Sequence, residues 1–250
     1  MQLIRRYSAH LAKLTWVEIK IFLREPMGAI GTVVIPVALF VVLGRFLGGA
    51  PEAPAFVSDE LPIFVVIFIV IGAVLSLTTI IAIYREGGIL KRLKATPISP
   101  LVILGTHVVV KLILTSVTLV LLVLAGRRFY SGSPPPAPWS FFLGVVLVSV
   151  SLMALGFVLA SVVRTARFAQ PVGSVLLYAL LTISGLFFPL EYLPRLWRVV
   201  AIASPLTHAV DLLRGLWTGA GWAGVWIAVV ALFGNLVICT MLSARIFRWE

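Results

Sequence analysis

Residues 84–100, YREGGILKRLKATPISP, join a pair of glycines, a cluster of bases and a short apolar stripe in one segment. Gly87 and Gly88 allow a sharp break in the chain. Beyond them Ile89, Leu90 and Leu93 share one helical face, and Lys91, Arg92 and Lys94 occupy the rest. Thr96, Pro97, Ser99 and Pro100 end that helix and restart the chain. The segment is too polar to cross a bilayer and too apolar for an idle loop. It suits a lever that docks onto a soluble partner, through Arg85, Glu86, Ile89, Leu90, Arg92, Leu93 and Lys94. The simpler alternative, an ordinary basic loop on the cytoplasmic face, leaves the apolar face and the double glycine unexplained.

Other chemistries fit poorly. The chain contains no G-x-x-x-x-G-K-[ST] phosphate loop. Ser184-Gly185 and His208 invite a nucleophile and base, but Thr182 replaces the first glycine that a nucleophile elbow needs. There is no His-Glu-x-x-His or paired-glutamate metal motif, and the single cysteine, Cys239, lies in an apolar run where it has no intrachain partner. No catalytic or metal-binding residue is therefore assigned. His107 and Lys111, four residues apart, share one face of an apolar run. An ionisable pair at that depth suggests a transport role. The blander reading puts Lys111 about one turn deep, with its stem reaching back to the inner headgroups, and it is the one preferred here.

These residues sit in a chain of 250 residues that is 61% hydrophobic and 12% charged. Its mean hydropathy is +1.13. A soluble domain is about half apolar and a quarter charged. The alternating pattern of a membrane β-barrel is absent. The expected fold is an all-α polytopic membrane protein, a single domain over 1–250. Six spans are predicted, at about 27–47, 61–83, 101–125, 139–163, 170–189 and 223–245. The net charge of +11 suits basic cytoplasmic loops and anionic lipid rather than nucleic acid. Placing both termini in the cytoplasm puts most Lys and Arg on that side, with Arg45, Arg127, Arg128, Arg195, Arg198 and Arg214 outside and Lys111 within a span. The first outer loop, APEAPAFVSDE, then carries acids and no base.

Residues 1–26 read as an amphipathic helix lying on the inner leaflet, ending near Arg24 and Pro26. Leu3, Ile4, Tyr7, Leu11, Leu14, Ile21 and Phe22 fall on its apolar face, opposite Arg6, Lys13, Lys20 and Arg24. Glu18 interrupts the apolar face and calls for a partner, with Arg85 and Arg92 as candidate bases. At the other side of the membrane, 190–222 holds two helices too short to span, separated by Ser204 and Pro205. A hairpin dipping into the outer leaflet fits, and two helices lying flat on the surface is the alternative. Leu186, Phe187 and Phe188 precede it and present apolar bulk where a pathway would open outward; with Pro205 they form the expected extracellular gate. Ser76, Thr78, Thr79, Ser149, Ser151, Thr182 and Ser184 can line a path or join helices.

The order of parts resembles the ABC-2 family of ABC transporter permeases, on three pieces: the leading helix ending in LREP, the REGGILKRLKATPIS loop, and SGLFFPLEYLP followed by SPLTHAVDLLRG. The last is similar to the drug-resistance and nodulation-factor branch. The resemblance implies a permease subunit that pairs with a second copy, a homodimer being expected, with two copies of a separate nucleotide-binding subunit. ATP and Mg would be bound by that subunit, so no cofactor is expected in this chain and it is not an enzyme alone. It also implies that 84–100 is a coupling helix and 190–222 a re-entrant hairpin. The expected function is ATP-driven export of an amphipathic, lipid-like or drug-like substrate, or a lipid-linked glycan, across the cell membrane. A secondary transporter or channel is the competing class; it would show intramembrane carboxylates, and the acids here can all be placed in loops, in the leading helix or at the terminus.

Overall fold

Prolines open several of the helices, at Pro54, Pro100, Pro138 and Pro205. The computed structural model describes residues 2–24, 28, 30–47, 54–89, 100–163, 165–184 and 194–246. Every regular element among them is helical. The helices are α1 Gln2–Arg24, α2 Ile35–Leu47, α3 Pro54–Ile71, α4 Leu77–Glu86, α5 Pro100–Tyr130, α6 Pro138–Val162, α7 Ala166–Ile183, α8 Arg195–Ala203, α9 Pro205–Trp217, the single turn α10 Gly221–Gly224, and α11 Trp226–Ile246. Two wide π turns complete them, Ile30–Val34 before α2 and Gly72–Ser76 between α3 and α4.

Asp59–Glu86, Gly105–Tyr130, Pro138–Val162, Ala166–Ile183 and Trp226–Ile246 are each long and apolar enough to cross a membrane. They match five of the six expected spans. The first expected span corresponds to a shorter apolar helix, Ile30–Phe46. Three boundaries differ from the sequence reading. The acidic stretch expected as an outer loop is helical from Pro54, so Asp59 and Glu60 stand in the second turn of α3. Helix α5 runs on to Tyr130, which puts Arg127 and Arg128 in its last turn. Cations are favoured there by the partial negative charge of the helix end, and Arg128 also sits 5.9 Å from the centre of the Phe129 ring. Helix α7 begins at Ala166 rather than near 170, with Pro171 inside it.

The π turn at Ile30–Val34 has a covalent origin. Pro36 has no N–H to offer the Thr32 carbonyl one turn back. The Thr118 hydroxyl of α5 donates to that carbonyl instead, at 3.3 Å. A backbone group in hydrocarbon needs such a partner. At the far end of the same helices, Phe40 meets Phe64 edge-on at 5.4 Å and Tyr130 at 5.9 Å. The Tyr130 hydroxyl donates to the Val41 carbonyl.

The α3–α4 span is central: α2, α5, α6, α7 and α9 all pack on it or on its π turn. Helix α6 approaches most closely at Gly156, where a Cβ would collide with the Ala73 backbone carbonyl. Thr78 Oγ1 donates to the Gly156 carbonyl at 3.4 Å. Helix α6 also carries α11, through a polar clasp. Ser151 Oγ donates to the Leu232 carbonyl at 2.8 Å, and Asn235 Nδ2 donates to both the carbonyl and the hydroxyl of Ser151, at 3.0 and 2.9 Å. The Ser161 and Ser243 hydroxyls meet at 3.2 Å on the same seam.

Candidate functional site

A string of polar side chains runs from the turn that ends α4 into the middle of the bundle. It starts at Gly87 and Gly88. The Gly87 N–H closes on the Ile83 carbonyl at 2.9 Å, and Gly88 takes a φ of +65°, a conformation that favours glycine. The expected break after this span is therefore present. Just before it, Arg85 Nη1 donates to the Val163 carbonyl at 2.7 Å, tying the end of α4 to the end of α6. That carbonyl lies where the chain leaves α6 in extended form, so it has no helical donor ahead of it. Glu86 and Ile89 are exposed. Leu90, Arg92, Leu93 and Lys94 lie outside the described residues.

Helix α1 reaches this turn from the side. It packs on α5, and Leu11, Leu14, Thr15, Glu18, Ile19 and Phe22 form the covered face. Ile21, assigned to the apolar face from periodicity, is instead half exposed, as are Trp16, Val17 and Leu23. Lys13, Lys20 and Arg24 are exposed. The covered face thus includes Glu18, and this explains its place in an apolar stripe. The Tyr84 hydroxyl donates to Glu18 Oε1 at 3.3 Å. Among the described residues, the partner Glu18 finds is this phenol of α4, while Arg85 turns to Val163. Sequence reasoning looked for a base and passed over Tyr84, a neutral donor four positions before Gly88.

The string continues on α5. The Tyr84 ring lies 5.5 Å from that of His107. His107 is buried, and its Nε2 has no hydrogen-bond partner among the described residues. Glu18 and Lys111 are the charged groups acting on it. One turn further, Lys111 lines a cavity of about 110 Å³. Both π turns border this space, through Gly31 and Thr32 on one side and Gly72 and Ser76 on the other; α5 contributes Thr115 and Thr118. The Lys111 stem passes Gly72, where a Cβ would sit 3.9 Å from Lys111 Cδ. Gly72 is the midpoint of the 61–83 stretch expected to cross the membrane. The lysine stem therefore lies beside the middle of that stretch. The pairing of a glycine with each π turn was the available signal, although nothing local indicated that the two turns would face each other.

The opposite end of the bundle carries the bent pair. Helices α8 and α9 meet at 69°. Ser204 caps α9, its Oγ accepting from the Leu206 N–H at 3.3 Å, and Pro205 occupies the first turn, where its missing N–H is harmless. The two halves differ sharply. Leu206, Ala209, Leu212 and Leu213 of α9 are fully buried, whereas Leu196, Trp197, Val199, Val200 and Ile202 of α8 are exposed. Thr207 Oγ1 lies within hydrogen-bond reach of the Ala201 carbonyl at 2.7 Å and the Ser184 carbonyl at 3.2 Å, so one hydroxyl joins α8, α9 and the end of α7. Arg214 Nη2 reaches the Asp59 carbonyl at 3.5 Å. Leu186, Phe187 and Phe188 lie outside the described residues.

Of the small polar residues singled out from sequence, Ser151 joins helices, Thr78 bonds across to α6, Thr182 and Ser184 bond within their own helix, and Ser76 faces the cavity. No group of three or more His, Cys, Asp or Glu suited to a metal occurs among the described residues.

The chain is 26% identical over 110 residues to the uncharacterized protein YhgE of Bacillus subtilis (strain 168). That match covers 44% of this chain but 14% of the relative. Residues 10–217 match the ABC-2 type transporter family, from α1 through α9. With that match across most of its length and a bundle of apolar helices to carry it, this multi-pass membrane protein belongs to the ABC-2 type transporter family.

Proposed function

We propose that this chain is the permease subunit of an ATP-driven exporter in the cell membrane, with both termini in the cytoplasm. The observation that carries the reading is family membership over residues 10–217, in a sequence that holds no phosphate loop of its own. ATP and Mg are bound by a separate nucleotide-binding subunit, and two such subunits serve two permease copies. The 250 residues form one transmembrane domain. Residues 84–100 are the coupling helix, held by Arg85, Glu86, Ile89, Leu90, Arg92, Leu93 and Lys94. The Gly87–Gly88 turn and the Tyr84–Glu18 hydrogen bond support this role, because they link that segment to both α1 and the central span.

The α8–α9 pair is the re-entrant hairpin, and Leu186, Phe187, Phe188 and Pro205 gate the exit. A buried α9 beneath an exposed α8 supports a structure anchored in the bundle and free to contact lipid or cargo on its outer half. The drug-resistance and nodulation-factor branch, and an amphipathic cargo, are the finer assignment.

Co-expression with the cognate nucleotide-binding subunit tests this reading. The expected product is a complex of two permeases and two ATPases by mass, with ATP turnover that the purified chain alone lacks. Robust ATP turnover by the isolated chain contradicts it.

A further inference from the structure

The cavity at Lys111 has the composition of a binding site and not of a packing defect. A charge inside an apolar bundle is unfavourable unless it is paired. Among the described residues, Lys111 has no hydrogen-bond or ion-pair partner. Its stem runs beside Gly72 of the second π turn. Hydroxyls surround the same space: Ser76 from the edge of one π turn, Thr32 from the other, and Thr115 one turn along α5. Thr118 is already committed to the Thr32 carbonyl. The remaining wall is apolar, with Val65, Phe68 and Leu122 among its members.

Each feature selects for one part of a ligand. A cation with nearby hydroxyls suits a phosphate or carboxylate, since a charged hydrogen bond is roughly twice as strong as a neutral one. The apolar wall suits an alkyl chain. The volume, about 110 Å³, holds several waters or one small head group, but not a whole lipid. Both π turns face it, and such turns are frequent at functional sites. A water-filled pocket alone would leave the ammonium without a counter-charge.

We propose that the cavity bounded by the two π turns and α5 binds the anionic head of an amphiphile, with Lys111 as its counter-ion and Ser76 and Thr115 as hydrogen-bonding partners. The occupant is a bilayer lipid or an amphipathic cargo; the shared chemistry is one phosphate or carboxylate on an alkyl chain. This assignment stands whether or not ATP drives the protein.

The test is native mass spectrometry of the detergent-purified full chain, titrated with dodecyl phosphate, phosphatidylglycerol, dodecyl maltoside and inorganic phosphate. Saturable binding of one anionic amphiphile per chain is expected, with no matching saturation by the neutral maltoside. Lys111→Gln should weaken that binding at least about tenfold, and Lys111→Arg should keep most of it. Gly72→Val should also weaken it by filling the space, and it gives a second route if Lys111→Gln fails to fold. Binding of phosphatidylglycerol identifies a bilayer lipid as a competent occupant; binding of dodecyl phosphate without phosphatidylglycerol points to a single-chain, cargo-type ligand. Unchanged affinity in Lys111→Gln and Gly72→Val overturns the proposal. So does inorganic phosphate binding as tightly as dodecyl phosphate, which would leave no role for the apolar wall.

Discussion

The seam between α6 and α11 and the cavity between the two π turns, α3 and α5 both put polar atoms inside an apolar bundle, and they treat them in opposite ways. On the seam, Ser151 and Asn235 satisfy one another and the Leu232 carbonyl. Among the described residues, both side chains make their hydrogen bonds within the protein. In the cavity, Lys111 and the surrounding hydroxyls converge on open space. Hydrocarbon offers no water to complete a missing bond, so a satisfied cluster acts as a joint and an unsatisfied one as a place to work. The same contrast separates α9 from α8, one buried along its apolar face and fastened by Thr207, the other exposed along most of its length.

Substitutions should divide along that line. The largest effect is expected on the packed side, at Gly156→Val. The new side chain meets the Ala73 backbone carbonyl, which cannot rotate away. Overpacking of this kind costs about 3 kcal/mol or more, and the variant should elute as aggregate or lose most of its thermal stability in detergent. Folding as well as the parent would show that α6 does not press on the π turn.

Asn235→Ala comes next. It removes both donors to Ser151, and interhelical hydrogen bonds in membranes are worth about 1–2 kcal/mol at most. A lower unfolding temperature with unchanged ligand binding is expected. Altered binding with unchanged stability would move the seam into the working category.

Lys111→Gln should have the smallest effect on stability, within about 1 kcal/mol and in the stabilising direction, because a half-buried charge with no partner among the described residues is removed. A loss as large as that of Asn235→Ala would mean that Lys111 holds the helices together, and the contrast between seam and cavity would fail.

Much of the scaffold was legible in the sequence because its signals are local. Long apolar runs marked the spans, Ser204-Pro205 marked the bend between α8 and α9, and Gly87-Gly88 marked the break after the central span. The loop expected at 50–60 was placed on a stretch with acids and no base, yet from Pro54 on it is the start of a helix, with Asp59 and Glu60 in its second turn. The candidate site was less legible because its parts come from distant places. Pro36 explains one π turn, but the hydroxyl that makes the turn tolerable is Thr118, far along the chain. Glu18 announced that it needed a partner, whereas Tyr84 is identifiable as that partner only once α1 lies across α5. That Lys111 of α5 passes Gly72 of the central span is likewise visible only in the packed bundle.

The central claim is that the engine lies in another subunit and engages this chain at 84–100. The direct measurement is the amount of nucleotide-binding subunit that co-purifies with the permease, for the parent and for Leu93→Asp. An unpaired carboxylate placed in a buried docking face costs several kcal/mol, on the order of a hundredfold or more in affinity. The parent should carry one ATPase per permease, and Leu93→Asp, still correctly folded and inserted, should retain less than about a tenth of that. Equal retention of the ATPase by both would show that 84–100 is not where the motor attaches.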